Sequence, residues 1–209
     1  MAKIALSIDG RELNANPGDS VLDVALSHDI YIPHLCHDPV LKPHGGCRLC
    51  LVSIQGAKGF RASCITQVAD GMAVTTSGVE LELLRRDMLE LILAEHPLDC
   101  LSCVKNQRCD LQKVAAYIGG ATRSLRRTRT SASGKKITPC FSMERDYCIL
   151  CQKCVRTCDE LVQKRLLTVV NRGAESAVST FANQAQITDT CASCLECVKR
   201  CPTAALRPL

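Results

Sequence analysis

Residues 148–158 read Cys148-Ile-Leu-Cys151-Gln-Lys-Cys154-Val-Arg-Thr-Cys158, and residues 191–201 read Cys191-Ala-Ser-Cys194-Leu-Glu-Cys197-Val-Lys-Arg-Cys201. Both follow C-x2-C-x2-C-x3-C, in which three closely spaced thiolates wrap one face of an iron-sulfur cube and the fourth, on a following helix, reaches the other cluster. The expected groups are therefore crossed. Cys148, Cys151, Cys154 and Cys201 would hold one [4Fe-4S] cluster, and Cys191, Cys194, Cys197 and Cys158 the other. Pro202 follows the last cysteine as the motif expects, whereas Asp159 takes that place in the first copy. Zinc and disulfides suit neither copy, because four ligands fall within eleven residues twice over. The weak similarity of Tyr147–Asp159 to Thr190–Ala205 is an internal duplication.

Working toward the N-terminus, His96, Cys100, Cys103 and Cys109 are spaced H-x3-C-x2-C-x5-C. Three thiolates and an imidazole can ligate zinc or the corners of a [4Fe-4S] cube, and spacing alone does not separate them. The set reads as a [4Fe-4S] cluster whose neutral His ligand makes it less negative and raises its potential. A further set, Cys36, Cys47, Cys50 and Cys64, is spaced C-x10-C-x2-C-x13-C. It suits a [2Fe-2S] cluster on a β-roll better than zinc, which usually takes two close pairs. Gly45-Gly46 allows close backbone approach, with N–H groups aimed at sulfur. Cys140 is left over and reads as a small buried hydrophobe. His28, His34, His37 and His44 surround the first motif as loop or supporting residues.

The chain has 209 residues with 16 Cys, no Trp and only 3% aromatics, so ring-packed cores are not available and cofactors must help hold small domains together. No apolar leader follows Met1, and no apolar run is long enough to span a bilayer. The expectation is a cytoplasmic protein with reduced thiols and no membrane span. The formal charge of +5 counts thiols as neutral; with clusters bound the net falls to about −2. Arg48, Arg61, Lys105, Arg108, Lys153, Arg156, Lys199 and Arg200, all close to ligand cysteines, then read as compensation for buried anionic clusters.

The periodicity predicts an α+β fold. Residues 3–8 and 11–16 form a hairpin about Asp9-Gly10, Ser20 with Asp23 caps a short helix, and further strands lie at 50–54 and 72–75. From Val79 the pattern is helical, with Leu81, Leu84, Met88, Leu91 and Ile92 on one side and Glu82, Arg85, Arg86 and Glu90 on the other, ending before Pro97. A second helix, 111–118, stops at Gly119-Gly120. The expected domains are 1–78 ([2Fe-2S], β-grasp), 79–120 (small helical, His-ligated), 121–138 (basic connector) and 139–209 (two [4Fe-4S]).

Tyr31-Ile-Pro-His-Leu-Cys36, Gly46-Cys47-Arg-Leu-Cys50, His96-Pro-Leu-Asp-Cys100-Leu-Ser-Cys103, Cys109-Asp-Leu-Gln112 and Cys148-Ile-Leu-Cys151-Gln-Lys-Cys154 together carry a resemblance. The chain resembles the N-terminal iron-sulfur region of the large peripheral subunit of respiratory complex I. That region is shared with [FeFe]-hydrogenases, NAD-linked formate dehydrogenases and the small diaphorase subunit of NAD-reducing hydrogenases. In size the chain is similar to the stand-alone diaphorase or electron-bifurcating transhydrogenase subunits. The resemblance implies one [2Fe-2S] and three [4Fe-4S] clusters. It also implies a flavin- and NAD(P)-binding partner that carries clusters, and a catalytic oxidoreductase subunit or ferredoxin beyond. Neither GxGxxG nor a P-loop is visible, so no catalytic residues and no nicotinamide or flavin site are expected in this chain. With Leu209 eight residues past the last ligand, it is expected not to be the whole enzyme.

Two other classes compete. A redox sensor could bind nucleic acid through Arg123, Arg126, Arg127, Arg129, Lys135 and Lys136, but a basic connector without interleaved aromatics is more often a solvated linker. A cluster-assembly scaffold would hold labile clusters.

Overall fold

The computed structural model describes residues 3–120, 125 and 135–209. Strand β1 (Ile4–Ile8) turns through Asp9 and Gly10, both at positive φ, into antiparallel β2 (Arg11–Ala15). Two left-handed residues give the turn whose twist matches that of paired strands. Helix α1 (Val21–Ser27) starts at Ser20, whose Oγ accepts from the Asp23 N–H at 3.1 Å. Strands β3 (Leu51–Ile54), β4 (Arg61–Ala62) and β5 (Met72–Thr75) complete a sheet of order β2-β1-β5-β3-β4. Its central β1–β5 pair is parallel. Val21, Leu22, Val24 and Ala25 of α1 cover Leu6, Ile8, Val52 and Val74 of the sheet.

Helix α2 (Val79–Ala94) departs from its expected faces. Leu81, Arg85, Leu89 and Ala94 are buried, while Leu91 is 53% exposed. Arg85, expected on the polar side, lies inside because its Nε donates to the Leu49 carbonyl (3.2 Å) and its Nη2 to the Leu51 carbonyl (2.6 Å). A buried guanidinium is tolerated when its donors are satisfied in this way. Helix α3 (Asp110–Ile118) ends at left-handed Gly119.

The expected basic connector lies largely outside the described residues; Arg123, Arg126, Arg127 and Arg129 are among those not described. Its last part differs from the expectation. Lys135–Ile137 is a strand, β6, paired antiparallel with β7 (Phe141–Glu144). Thr138 closes the intervening turn by accepting from the Phe141 N–H (3.0 Å) and donating to the Phe141 carbonyl (2.6 Å).

Helix α4 (Lys153–Arg156) is followed by a π-helical turn, Thr157–Leu161. A two-stranded sheet of β8 (Thr168–Val170) and β9 (Ala177–Ser179) comes next. Helices α5 (Gln184–Cys191) and α6 (Glu196–Lys199) and strand β10 (Leu206–Pro208) complete the chain, β10 pairing with β7. The duplication is visible in the backbone, since α4 and α6 each begin after a left-handed residue, Gln152 (φ 57°) and Leu195 (φ 48°). The copies diverge after their last cysteine. Pro202 cannot donate to a helical carbonyl, whereas Asp159 can, and the first copy runs on into its π turn.

Among the described residues no helix is long and apolar enough to cross a membrane.

Candidate functional site

The first cysteine set lies on loops at the margin of the five-stranded sheet. Cys36, Cys50 and Cys64 are each about 1% exposed. The thiols form a connected group, Cys36 bonding to Cys47 and Cys64, and Cys64 to Cys50. Left-handed Gly45 (φ 66°) and Arg48 (φ 55°) bend the chain so that the Cys47 N–H donates to the Cys36 sulfur at 3.4 Å. A Cβ on Gly46 would stand 2.7 Å from the His44 ring. The shared bonds pull Cys36 well below the usual thiol range and bring Cys50 to about 7, while pushing Cys64 up. Negative charge is thus accommodated at Cys36 and Cys50, while the same hydrogen bonds push Cys47 and Cys64 up.

Three of the surrounding histidines bond elsewhere. His37 is buried with its Nε2 3.1 Å from an Asp23 carboxylate oxygen, His34 Nδ1 is 2.7 Å from the Ile32 carbonyl, and His28 Nδ1 is 2.9 Å from that of Val24.

The second set lines one cavity. His96, Cys100, Cys103 and Cys109 share it with Leu93, Leu111 and Ala115. His96 Nδ1 lies 2.7 Å from the Pro97 carbonyl, which fixes the proton on that nitrogen and leaves the lone pair on buried Nε2. A metal-ligating imidazole is held in this way. Cys109 sits at the N-terminus of α3, where burial pushes its thiol up and the Leu111 and Gln112 N–H groups oppose the shift.

The third and fourth sets each gather around a cavity of their own. Cys148, Cys151, Cys154 and Cys201 line one with Met143 and Leu206; Cys158, Cys191, Cys194 and Cys197 line the other with Phe141 and Ile187. Each cavity thus combines three cysteines of one motif with the last of the other. Burial pushes the Cys151 and Cys197 thiols up to about 12 and Cys191 to about 11. Lys153, itself only 9% exposed, opposes this at Cys151. The Leu166 N–H donates to the Cys158 sulfur at 3.3 Å. Cys140 joins neither cavity lining; it packs against the same apolar core, its sulfur 3.8 Å from the Ile187 carbonyl.

Among the described residues no three His, Cys, Asp or Glu side chains close around one point as ligands of a single ion would. Thiols gathered in apolar surroundings, with N–H groups donating to the Cys36 and Cys158 sulfurs, suit the donor set of iron-sulfur clusters. Burial pushes up the thiols of Cys151, Cys154, Cys191 and Cys197, so iron entering there would have to displace protons.

The sets are tied to one another by residues whose partners lie far away in sequence. Arg156, between Cys154 and Cys158, donates to the carbonyls of Cys36 (2.5 Å) and Lys42 (2.6 Å). Arg200, beside Cys201, holds buried Asp38 at 3.0 Å. The Lys105 ammonium donates to the Cys201 carbonyl, and the Tyr147 hydroxyl to Asp99 at 2.5 Å. A core of Leu35, Leu49, Leu89, Leu111 and Val114 includes Cys109 and packs against Cys47 and Ile149, so three sets meet on it. The sequence marks Arg156 and Arg200 as cations near clusters but carries no sign of these partners.

Residues 1–78 match the family model of a 2Fe-2S iron-sulfur cluster binding domain, and residues 85–123 that of the NADH-ubiquinone oxidoreductase-G iron-sulfur binding region. An NADH-quinone oxidoreductase subunit of Rhizobium meliloti (strain 1021) is 38% identical over 205 residues, covering 97% of this chain and 24% of that protein. The NADP-reducing hydrogenase subunit HndD of Solidesulfovibrio fructosivorans is 34% identical over 212 residues, 99% of this chain and 36% of that one. The chain therefore spans about a quarter to a third of the length of these relatives. A chain in the crystal structure of an NAD+-reducing [NiFe]-hydrogenase in the H2-reduced state superposes with a TM-score of 0.88 at 30% identity, covering 99% of this chain and 88% of that one.

Proposed function

We propose, from the premise that this chain belongs to the family of iron-sulfur subunits found in NADH-quinone oxidoreductases and NAD(P)-linked hydrogenases, that it carries electrons within a multisubunit NAD(P)-linked oxidoreductase. The observation that carries the reading is the grouping of donors, four sulfur-rich sets held by one chain and bridged to one another by Arg156, Lys105 and Tyr147.

In this reading Cys36, Cys47, Cys50 and Cys64 hold a [2Fe-2S] cluster. Three [4Fe-4S] clusters are held by His96, Cys100, Cys103 and Cys109; by Cys148, Cys151, Cys154 and Cys201; and by Cys191, Cys194, Cys197 and Cys158. The clusters supply one-electron redox chemistry. The chain's own residues orient the ligands, donate N–H bonds to sulfur, exclude water with aliphatic side chains and place Lys153, Arg156 and Arg200 against the negative charge. The same reading keeps the domains 1–78, 79–120 and 139–209 with a connector 121–138, in which β6 falls.

The partners are a flavin- and NAD(P)-binding subunit on one side and a catalytic subunit or ferredoxin on the other, in the cytoplasm. Hydrogenase, formate dehydrogenase and electron-bifurcating transhydrogenase holoenzymes are all compatible with it. Anaerobic purification from the native host, with metal analysis and identification of copurifying chains, tests the reading. About fourteen irons per chain and a flavoprotein partner are expected. About ten irons with zinc at His96 would remove the second cluster, and salt-dependent DNA binding without electron exchange would replace the reading by the sensor.

A further inference from the structure

A groove of about 640 Å³ runs between the loop carrying Cys103 and Cys109 and the segment carrying Cys194, Cys197 and Cys201. Its charged lining is of one sign, comprising Lys105, Arg108, Lys199 and Arg207; among the described residues no Asp or Glu lines it. Val198 and Leu206 contribute to an otherwise aliphatic floor. Lys199 and Arg207 are balanced by Glu196 and Glu144, which lie outside the lining, and Arg108 reaches the Val104 carbonyl at 3.4 Å. Arg108 and Lys199 are exposed.

We infer that this groove docks the acidic face of a protein electron carrier. The inference rests on the electron-transfer reading and deepens it by naming where the carrier sits and what recognises it. An apolar floor with a cationic rim is the make-up of a protein interface steered by charge. Nucleic acid fits less well, because among the described residues no aromatic side chain lines the groove to stack a base. The position is also functional. Lys105 and Arg108 lie between two cysteines of the second set, and Lys199 between Cys197 and Cys201. Lys105 closes the gap by donating to the Cys201 carbonyl. A carrier seated here would approach donors of the second, third and fourth sets together. The exchange is one electron, this chain's reduced centre being oxidised by one and the carrier's reduced by one. No bond forms or breaks and no proton moves.

The test uses the cluster-loaded full chain and a purified acidic two-[4Fe-4S] ferredoxin as probe. Titration calorimetry at low and raised ionic strength should show salt-weakened binding, and carbodiimide coupling should link Lys105 or Lys199 to probe carboxylates. The double variant Arg108→Glu/Lys199→Glu should raise Kd about tenfold or more. Arg108→Gln/Lys199→Gln should raise it less, and Lys58→Glu, on a distant exposed turn, should leave it unchanged. Iron content and visible spectrum verify that each variant is loaded. Unchanged Kd in the loaded double variants, coupling elsewhere, or tighter binding of a duplex oligonucleotide than of the probe at this groove would overturn the inference. Reduction of a neutral quinone mediator by the wild-type chain, first reduced with dithionite and freed of excess reductant, separates the two failures. If the mediator is reduced but the probe does not bind, the groove assignment falls and the electron-transfer reading stands; if neither exchanges electrons, the reading itself falls.

Discussion

Arg156 Nη2 donates to the backbone carbonyl of Cys36 across 2.5 Å, joining residues 120 positions apart. The same guanidinium reaches the Lys42 carbonyl. One side chain of the C-terminal unit therefore fixes the loop from which the first cysteine set starts. Arg156→Ala should lower stability by about 2 kcal/mol, the worth of a charge-assisted hydrogen bond. Arg156→Lys should recover only part of this, since an ammonium cannot present the same planar fork. Anaerobic urea titration followed by visible absorbance measures both.

Tyr147 is pushed up to about 12, first by its hydrogen bond to Asp99 and then by burial. A phenol whose folded value is raised contributes stability that is fully present below the ordinary value of about 10 and is lost as pH rises through about 12. Asp99→Asn should return the titration toward the ordinary range, and Tyr147→Phe should remove it. Ultraviolet difference titration detects either.

The buried thiols of Cys151 and Cys197, at about 12, predict opposite alkaline behaviour with and without metal. In the metal-free chain the unfolded thiols ionise near 9 while the folded ones stay protonated, so stability falls as pH rises from about 9 toward 12. The cluster-loaded chain should lack that loss, its thiolates being already ionised on iron. Paired denaturation curves at neutral and alkaline pH show the difference.

His96→Ala should cost about four irons per chain, whereas His96→Cys should keep them and lower the potential of that cluster, since a thiolate adds negative charge where the imidazole had none. Metal analysis with a redox titration followed by electron paramagnetic resonance reads both.

Cys201→Ser should remove the cluster held with Cys148, Cys151 and Cys154, and Cys158→Ser the one held with Cys191, Cys194 and Cys197, each at a cost of about four irons. Cys140→Ala should cost none. Separate loss of two distinct resonance signals in the two serine variants is the decisive observation.

The hairpin at Asp9-Gly10, the Ser20 cap and the stop at Gly119 were legible because each is decided within a few residues by backbone chemistry. The sharing of cavities by the cysteines of the second, third and fourth sets follows the expected spacings, because a rigid inorganic centre would permit few others. Arg85 was read on the wrong face of α2, since a pattern of apolar side chains carries no record of carbonyls at Leu49 and Leu51 waiting inside. Strand β6 was hidden for a similar reason. Its pairing partner, β7, lies across a turn set by Thr138, and a polar, basic composition reads as linker whichever way the backbone bonds. The ties from Arg156 and Arg200 span more than a hundred positions and leave no local mark.

The exchange of Cys158 and Cys201 between the two motif cavities has a consequence for biogenesis. The ring begun by Cys148, Cys151 and Cys154 stays open until Cys201 has been synthesised, whereas the ring of Cys191, Cys194 and Cys197 closes on Cys158, which is already present. With clusters bound as proposed, the stretch from Cys148 to Cys201 would be stitched twice across its own halves. A nascent chain stalled between Cys197 and Cys201 would hold every thiol of one ring, Cys158, Cys191, Cys194 and Cys197, and leave the other, Cys148, Cys151 and Cys154, one short, so the ring that starts first is the last to be completed.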